Sequence, residues 1–210
     1  MLMLVSGTTA TVRRYPQVGE LIVPGAWTLP DTHRLTPGRW AMDNGAYSGF
    51  DAARFMGMLR AFHGRPGYRF VTAPDVVADA PATLAQWPFW SQVIRGVGFV
   101  PALVAQDGLL VEDVPWPQLG VLFIGGSTEW KLGPQAQTLA AYAKSRGLWV
   151  HVGRVNSRAR LAAIAAMGAD SFDGSGFSKW GEVNIPKGLQ WTEDVLQQQQ
   201  EQPSFDLREA

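Results

Sequence analysis

The stretch 99–105, FVPALVA, runs straight into Gln106-Asp107-Gly108, and the stretch 121–124, VLFI, runs straight into Gly125-Gly126. Neither run carries a polar residue to mark a solvent face, and both close on turn chemistry. Short runs of this length, rich in Val, Ile and Phe, read as parallel strands buried on both faces. Working outward, the pattern recurs at 2–5 before Ser6-Gly7, 21–23 before Pro24-Gly25, and 40–42 before Asp43-Asn44-Gly45. It recurs again at 69–73 before Pro74-Asp75, 148–152 before Gly153-Arg154, and 170–172 before Asp173-Gly174-Ser175-Gly176. That makes eight strands.

Helical patterns lie between several of them. Ser48-x-x-Asp51 reads as a capping box ahead of Phe55, Leu59 and Phe62, which share one helical face. Asp79 can cap a helix over 81–97, where Pro88 is expected to kink or split it. A helix over 134–146 starts on Pro and stops at Gly147, and one over 157–167 starts on a cap residue and stops at Gly168. The last candidate is 192–200. Alternating parallel-type strands and helices mean α/β, and eight strands point to a compact (β/α)8 TIM-type barrel. The barrel is expected to be irregular in its first third, because 6–20 and 24–39 show no clear helix. An open doubly wound sheet is the alternative. One domain over 1–196 is expected, followed by a Gln-rich, disordered tail over 197–210.

Composition narrows the function classes. The chain has 210 residues, of which 46% are hydrophobic and 11% aromatic, enough for a substantial core. Only 17% are charged, against about 25% in an average globular chain, and the 18 basic and 18 acidic side chains cancel. Gripping nucleic acid by bulk charge is therefore disfavoured, and any affinity should be modest and focused on a few loop arginines. There is no cysteine, which removes disulfides, thiolate nucleophiles and cysteine-ligated metals. His33, His63 and His151 stand apart without metal-ligand spacing, so no metal is expected. No apolar run reaches the roughly 18 residues of a membrane span, and 1–5 is too short for a signal h-region. The expectation is a soluble, cytoplasmic chain (host cytoplasm if phage-encoded).

In parallel α/β folds the residues just after the strands gather at one end, where sites form. Here they are Asp43, Asn44, Asp75, Asp79, Gln106, Asp107, Gly125, Gly126, Glu129, His151, Arg154, Asn156 and Asp173. Carboxylates dominate. Two of them converging on one pocket suit general acid/base work, or a nucleophile paired with an acid. Asp43 and Asp173 could equally be plain Asx turns, and Asp75 beside Pro74 could simply cap one. Gly125-Gly126 could be a bend, or could let a flat ligand approach the backbone. Gln106 offers both donor and acceptor, suited to a base edge. No GxGxxG, Walker A or GxSxG motif is present.

Six segments in order carry a resemblance. They are Asp43-Asn44-Gly45-Ala46-Tyr47, Pro74-Asp75, Ala105-Gln106-Asp107-Gly108, Ile124-Gly125-Gly126, Val152-Gly153, and Gly168-Ala169-Asp170-Ser171-Phe172-Asp173. The set resembles the tRNA-guanine transglycosylase (queuine tRNA-ribosyltransferase-like) superfamily, whose barrel carries comparable motifs in the same order. The resemblance implies that Asp173 is the nucleophile that attacks the sugar C1′ and that Asp43 is the general acid/base. It implies that Asp75, Gln106, Gly125, the Gly126 backbone, Asn44 and Tyr47 hold the base. No cofactor is implied. The tRNA enzymes also carry a zinc subdomain of three Cys and one His, which this cysteine-free chain lacks. The compact form looks more like phage-type relatives that replace guanine in DNA with a 7-deazaguanine. DNA and a free 7-deazaguanine base are then the expected partners, with Arg39, Arg154, Arg158 and Lys179 as candidate phosphate contacts. Arg13, Arg14, Arg34, Arg160 and Lys187 lie in or beside the same loops, and Trp27, Trp130 and Trp180 could stack bases or pack. Three alternatives stay open: a related enzyme on RNA, a barrel enzyme using Gly153–Asn156 and Gly174–Gly176 to hold a small phosphorylated metabolite, and a non-catalytic nucleic-acid-binding scaffold. Self-association is left open as well.

Overall fold

The computed structural model describes residues 1–6, 10–27 and 35–201. Eight strands, β1 (Leu2–Ser6), β2 (Gly19–Ile22), β3 (Trp40–Met42), β4 (Tyr68–Thr72), β5 (Pro101–Ala105), β6 (Val121–Ile124), β7 (Trp149–Val152) and β8 (Ser171–Asp173), pair in chain order. Every pairing is parallel, and β8 returns to β1 through Leu2↔Ser171 and Leu4↔Asp173. The sheet is a closed barrel, which removes the open doubly wound alternative.

Strand alternation sorts the core into two compartments. Leu4, Leu21, Ala41, Phe70, Ala102, Val104, Val121 and Phe123 form one buried cluster, the barrel interior. The alternate residues, among them Met3, Val5, Ile22, Met42, Val71, Leu103, Leu122, Ile124, Val150 and Phe172, belong to a second cluster shared with the surrounding helices. The period-2 geometry of a strand produces this split. It puts the residues two steps further along β3, β5, β7 and β8 in line with the interior, at the C-terminal mouth. The opposite end is closed by Trp149, on whose ring the Arg69 guanidinium lies 4.6 Å from the centroid.

The helices are α1 (Ala10–Arg13), α2 (Ala52–Phe62), α3 (Ala80–Gly96), α4 (Thr128–Leu132), α5 (Pro134–Ser145), α6 (Arg158–Ala166), α7 (Ser175–Lys179) and α8 (Gly181–Glu201). Among its described residues, the β1–β2 connection holds the single turn α1. Three sequence expectations are corrected. Asp51 caps α2 alone, accepting from the Arg54 amide, while Ser48 sits in a 3-10 turn instead of a capping box. Pro88 does not split α3, which runs through it as one helix. The last helix begins at Gly181, well before 192, because Ile185, Gly188, Thr192 and Val195 bury one face of it, and it continues through the exposed Gln197 to Glu201. Residues 202–210 of the expected tail lie outside the described residues. Among the described residues, no helix is long and apolar enough to cross a membrane.

Asp79 caps α3 as the sequence suggests, accepting from the Ala82 amide at 2.9 Å. Replacing it with Ala is expected to cost about 1 kcal/mol of unfolding free energy, measurable by urea denaturation.

Candidate active site

The mouth of the barrel holds a narrow slot of about 80 Å³ lined by Asp43, Asp75, Gln106, Phe123, Arg154 and Asp173 among others. It shares Asp43, Asn44, Tyr47, Arg154 and Asp173 with a wider cleft of about 610 Å³ that reaches Arg54, Asn156 and Arg160. The topology gathers residues from the ends of six strands here, as the parallel barrel requires.

The two carboxylates singled out from the sequence face the same slot, in different settings. Asp43 Oδ1 accepts from the Asn44 amide at 2.8 Å and from the buried Thr72 hydroxyl at 3.2 Å. Burial, with Asp173 and Asp75 as further negative neighbours, pushes the Asp43 carboxyl from 3.8 up to about 7. Asp173 Oδ2 lies 3.0 Å from His151 Nε2, and Oδ1 accepts from the Arg154 amide at 3.3 Å. One carboxyl is thus poised to carry a proton near neutrality, and the other is set against a ring nitrogen and a backbone amide.

The opposite wall is a polar ladder. Gln106 Nε2 donates to Asp75 Oδ2 at 2.5 Å, and Asn44 Nδ2 donates to Asp75 Oδ1 at 2.7 Å. Burial raises the Asp75 pKa despite these donors. Gln106 Oε1 accepts from the Gly126 amide at 2.9 Å and from the Ala78 amide at 2.8 Å.

This ladder changes several expected roles. Asn44 also donates to the Ala73 carbonyl and accepts from the Ala46 amide, so its amide is spent on orienting Asp75 and the β3 turn. The Gly126 amide donates to Gln106, so it is not open to a ligand in this arrangement, while its carbonyl accepts from Arg154 Nη2 and keeps a second acceptor position. Gly126 has φ +71, and a Cβ there would stand 2.5 Å from Asp107 Oδ1, so glycine is needed on conformation and packing alone. A Cβ at Gly125 would stand 2.9 Å from Gln106 Nε2, which makes that glycine a seat for the Gln106 amide. Tyr47 lies at the rim, 68% exposed, with the Arg154 guanidinium 4.6 Å from its ring centroid. A base can stack on that face of Tyr47 only if Arg154 withdraws.

The predicted phosphate contacts scatter. Arg39 precedes β3 and therefore sits at the opposite end of the barrel, donating to the Pro16 carbonyl. Arg158 pairs with Asp194 on α8 at 3.7 Å. Lys179 lines a separate surface cavity beside Trp180. Arg14 pairs with Glu182, Lys187 lies over Trp191, and Arg34 falls outside the described residues. Arg154 does reach the site, though as a bridge from β7 to Gly126 and Tyr47, with its backbone at φ +61. Trp27 packs edge-on against Phe62, and Trp130 donates to Gln135 beneath Gly126.

Three polar residues at or near the slot, Thr72, Arg54 and Lys131, carry no role in the sequence reading, and Arg160 is there only one of several loop cations. Thr72 supports Asp43. Arg54 and Arg160 line the wide cleft. Lys131 is 1% exposed and donates to the Gly153 carbonyl at 2.7 Å, and burial together with the Arg154 cation lowers its pKa to about 8. It anchors the turn that presents the Arg154 amide to Asp173. His151 stands two residues after Trp149 on β7, and that period-2 spacing is the sign in the sequence that it points into the barrel. Among the described residues, no group of three or more His, Asp or Glu is gathered as a metal site.

No protein-family model matches the chain, and no curated protein matches it. Solved structures do. The protein is similar to 3-hexulose-6-phosphate synthase, at 14% identity over 92% of this chain and 98% of that one, with a TM-score of 0.50. It is similar to an HpcH/HpaI aldolase from Desulfitobacterium hafniense DCB-2, at 12% identity over 98% and 94% of the two chains, with a TM-score of 0.47. A protein from Sinorhizobium meliloti assigned as an isomerase matches at 14% identity over 81% of this chain, with a TM-score of 0.49. This chain spans about half of that protein, 49% of its length. None of the three is named a transglycosylase. At such identities the likeness shows the fold alone: a TIM-type (β/α)8 barrel.

Proposed function

We propose that this barrel is a base-exchange transglycosylase that replaces guanine in DNA with a 7-deazaguanine through a covalent Asp173-glycosyl intermediate. The observation that carries the proposal is the pair of carboxyls on one slot in different surroundings, Asp43 buried and pushed up to about 7, Asp173 against the His151 ring and the Arg154 amide. In the first half-reaction an Asp173 oxygen bonds to the sugar C1′ as the C1′–N bond to guanine breaks, and neutral Asp43 gives its proton to the leaving base. In the second, the incoming base loses a proton to Asp43 and bonds to C1′ as the Asp173 ester breaks. Atoms, charges and protons balance without water or redox chemistry.

The Asp75–Gln106 ladder supports a purine at this place. A carboxylate held from behind by two amides still offers lone pairs to the adjacent N–H groups of a guanine-type edge. A base must leave the duplex to reach such a slot, and the 610 Å³ cleft is where its sugar and phosphates would lie. Arg160 is the phosphate contact to test. Among the described residues its guanidinium makes no hydrogen bond or ion pair, and it lines the cleft. Arg160→Gln is expected to weaken DNA binding evenly across sequences and to lower the slope of log K against log salt by about 1; an unchanged slope removes Arg160 from the phosphate path.

A second reading has the fold likeness on its side. The backbone resembles 3-hexulose-6-phosphate synthase, whose name carries a phosphorylated sugar, and barrels often hold phosphate after strands 7 and 8. On this reading the protein is a barrel enzyme on a small phosphorylated metabolite. At that position the Gly176 amide donates to Asn156 Oδ1 at 3.0 Å, so one donor of such a cradle is already used. The two readings separate in one experiment. DNA is incubated with free 7-deazaguanine bases and digested, and its nucleosides are weighed by mass spectrometry. Base exchange predicts a 7-deazaguanine deoxynucleoside and an equal release of guanine. No exchange in DNA overturns the first reading, and exchange in RNA alone moves the substrate to the ribose series.

A further inference from the structure

The inward registers of β7 and β8 build a closed chain of hydrogen bonds beneath Asp173. Trp149, His151, Ser171 and Asp173 all point into the barrel, with His151 paired to Ser171 across the strands. Trp149 Nε1 donates to Ser171 Oγ at 2.8 Å, Ser171 Oγ lies 2.8 Å from His151 Nδ1, and His151 Nε2 lies 3.0 Å from Asp173 Oδ2. His151 and Ser171 are both 0% exposed. The imidazole is wedged between Phe70 and Phe123, with centroids 5.0 and 4.5 Å away.

Counting protons along this chain fixes the tautomer. Indole Nε1 can only donate, so it fills one acceptor position of Ser171 Oγ. If His151 Nδ1 also donated to that oxygen, the Ser171 proton would have no acceptor in a dry interior, which costs free energy. The pattern that satisfies every group runs Trp149 to Ser171, Ser171 to His151 Nδ1, and His151 Nε2–H to Asp173. A bare Nε2 facing a carboxylate would instead set lone pair against lone pair.

We infer that His151 is a positioning residue for Asp173, locked by Ser171 and Trp149 in the Nε2–H tautomer so that Oδ2 stays pinned and the carboxylate is held in one orientation at the slot. The inference rests on Asp173 being the reacting carboxylate. The chain is built into the rigid wall of the barrel, where strand register sets its geometry. A His–carboxylate pair in the open cleft would serve acid–base transfer; this one lies under the carboxylate, away from the slot lining.

The tautomer is read without substrate, by ¹⁵N NMR of histidine-labelled protein at mildly basic pH. The expected result is a pyrrole-type Nε2 and a pyridine-type Nδ1 for His151; a protonated Nδ1, alone or together with Nε2, overturns the lock whatever the enzyme does. Ser171→Ala removes the donor to Nδ1 and should shift the Nδ1 signal while Nε2–H stays on Asp173; an unmoved Nδ1 signal would overturn the role of Ser171 in the lock. In base exchange, His151→Leu should lower kcat by about 10- to 100-fold, the range of a hydrogen bond to a charged group, with KM for base and DNA within about twofold. His151→Gln, which keeps an N–H donor at that reach, should recover most of the loss. Equal losses in Leu and Gln, or a loss carried by KM, would make His151 a packing residue. If the wild type exchanges no base, the function proposed above fails while the NMR result still judges the lock.

Discussion

Asp173→Asn is expected to lower base exchange by about 10⁴-fold or more, because the amide keeps the shape of the carboxylate and loses its nucleophilic charge. Asn can still accept from His151 Nε2 through its oxygen, so the hydrogen-bond chain under it survives. Unfolding temperature should therefore move little, which separates a chemical loss from a folding loss. The readout is incorporation of labelled guanine into DNA, followed beside the thermal transition. A variant that folds and still exchanges guanine at the wild-type rate would remove Asp173 as nucleophile.

Asp43→Asn has the second-largest expected effect, a fall of about 10²- to 10⁴-fold, the usual range for a lost general acid/base. Its pH behaviour is the sharper sign. With the carboxyl at about 7, release of guanine needs the neutral form and should slow above that pH. Attack by the incoming base needs the ionised form and should slow below it. Single-turnover release and overall exchange should thus bend in opposite directions around neutrality, and both bends should vanish in the variant. Stability carries the same group with a definite sign. A folded-state pKa above the ordinary 3.8 means that the stabilisation is fully present below that value and is lost as pH rises through about 7. Asp43→Asn should therefore melt a few degrees higher than the wild type at pH 8, with the gain shrinking towards pH 4. A gain that does not depend on pH would contradict the strained carboxyl.

Much of the barrel was legible because buried parallel strands announce themselves. The runs 99–105 and 121–124 contain β5 and β6 within two residues, since continuous apolar sequence closed by Gly has few other structures to adopt. The end of α8 was less legible. Gln197–Gln200 reads as low complexity, yet the helix runs through it. The buried face ends at Val195 and residues 197–201 are exposed, so these last turns extend a helix already nucleated and packed further up, in residues of good helix propensity. Pro88 does not split α3 because that helix is held by its buried face, and one absent amide does not break it.

At the site, strand-end positions brought Asp43, Asp75, Gln106 and Asp173 to one slot, because a parallel barrel leaves them nowhere else to go. Partner choice was not legible. Whether the Gly126 amide faces a ligand or Gln106, and whether Arg154 meets phosphate or Tyr47, depends on side-chain reach across strands far apart in sequence. Arg39 shows the cost of ignoring strand direction. Standing before β3 and not after it, Arg39 could only lie at the far end of the barrel.

The central claim is a covalent bond between Asp173 and the sugar. A guanine-containing oligodeoxynucleotide is mixed with the protein without an incoming base, quenched in acid and digested with nuclease and protease, and the peptides are weighed. The account predicts a peptide containing Asp173 that is heavier by the base-free deoxyribose fragment, lost on addition of guanine before the quench. Release of guanine with every Asp173 peptide unmodified, or the same adduct on Asp43, would contradict it.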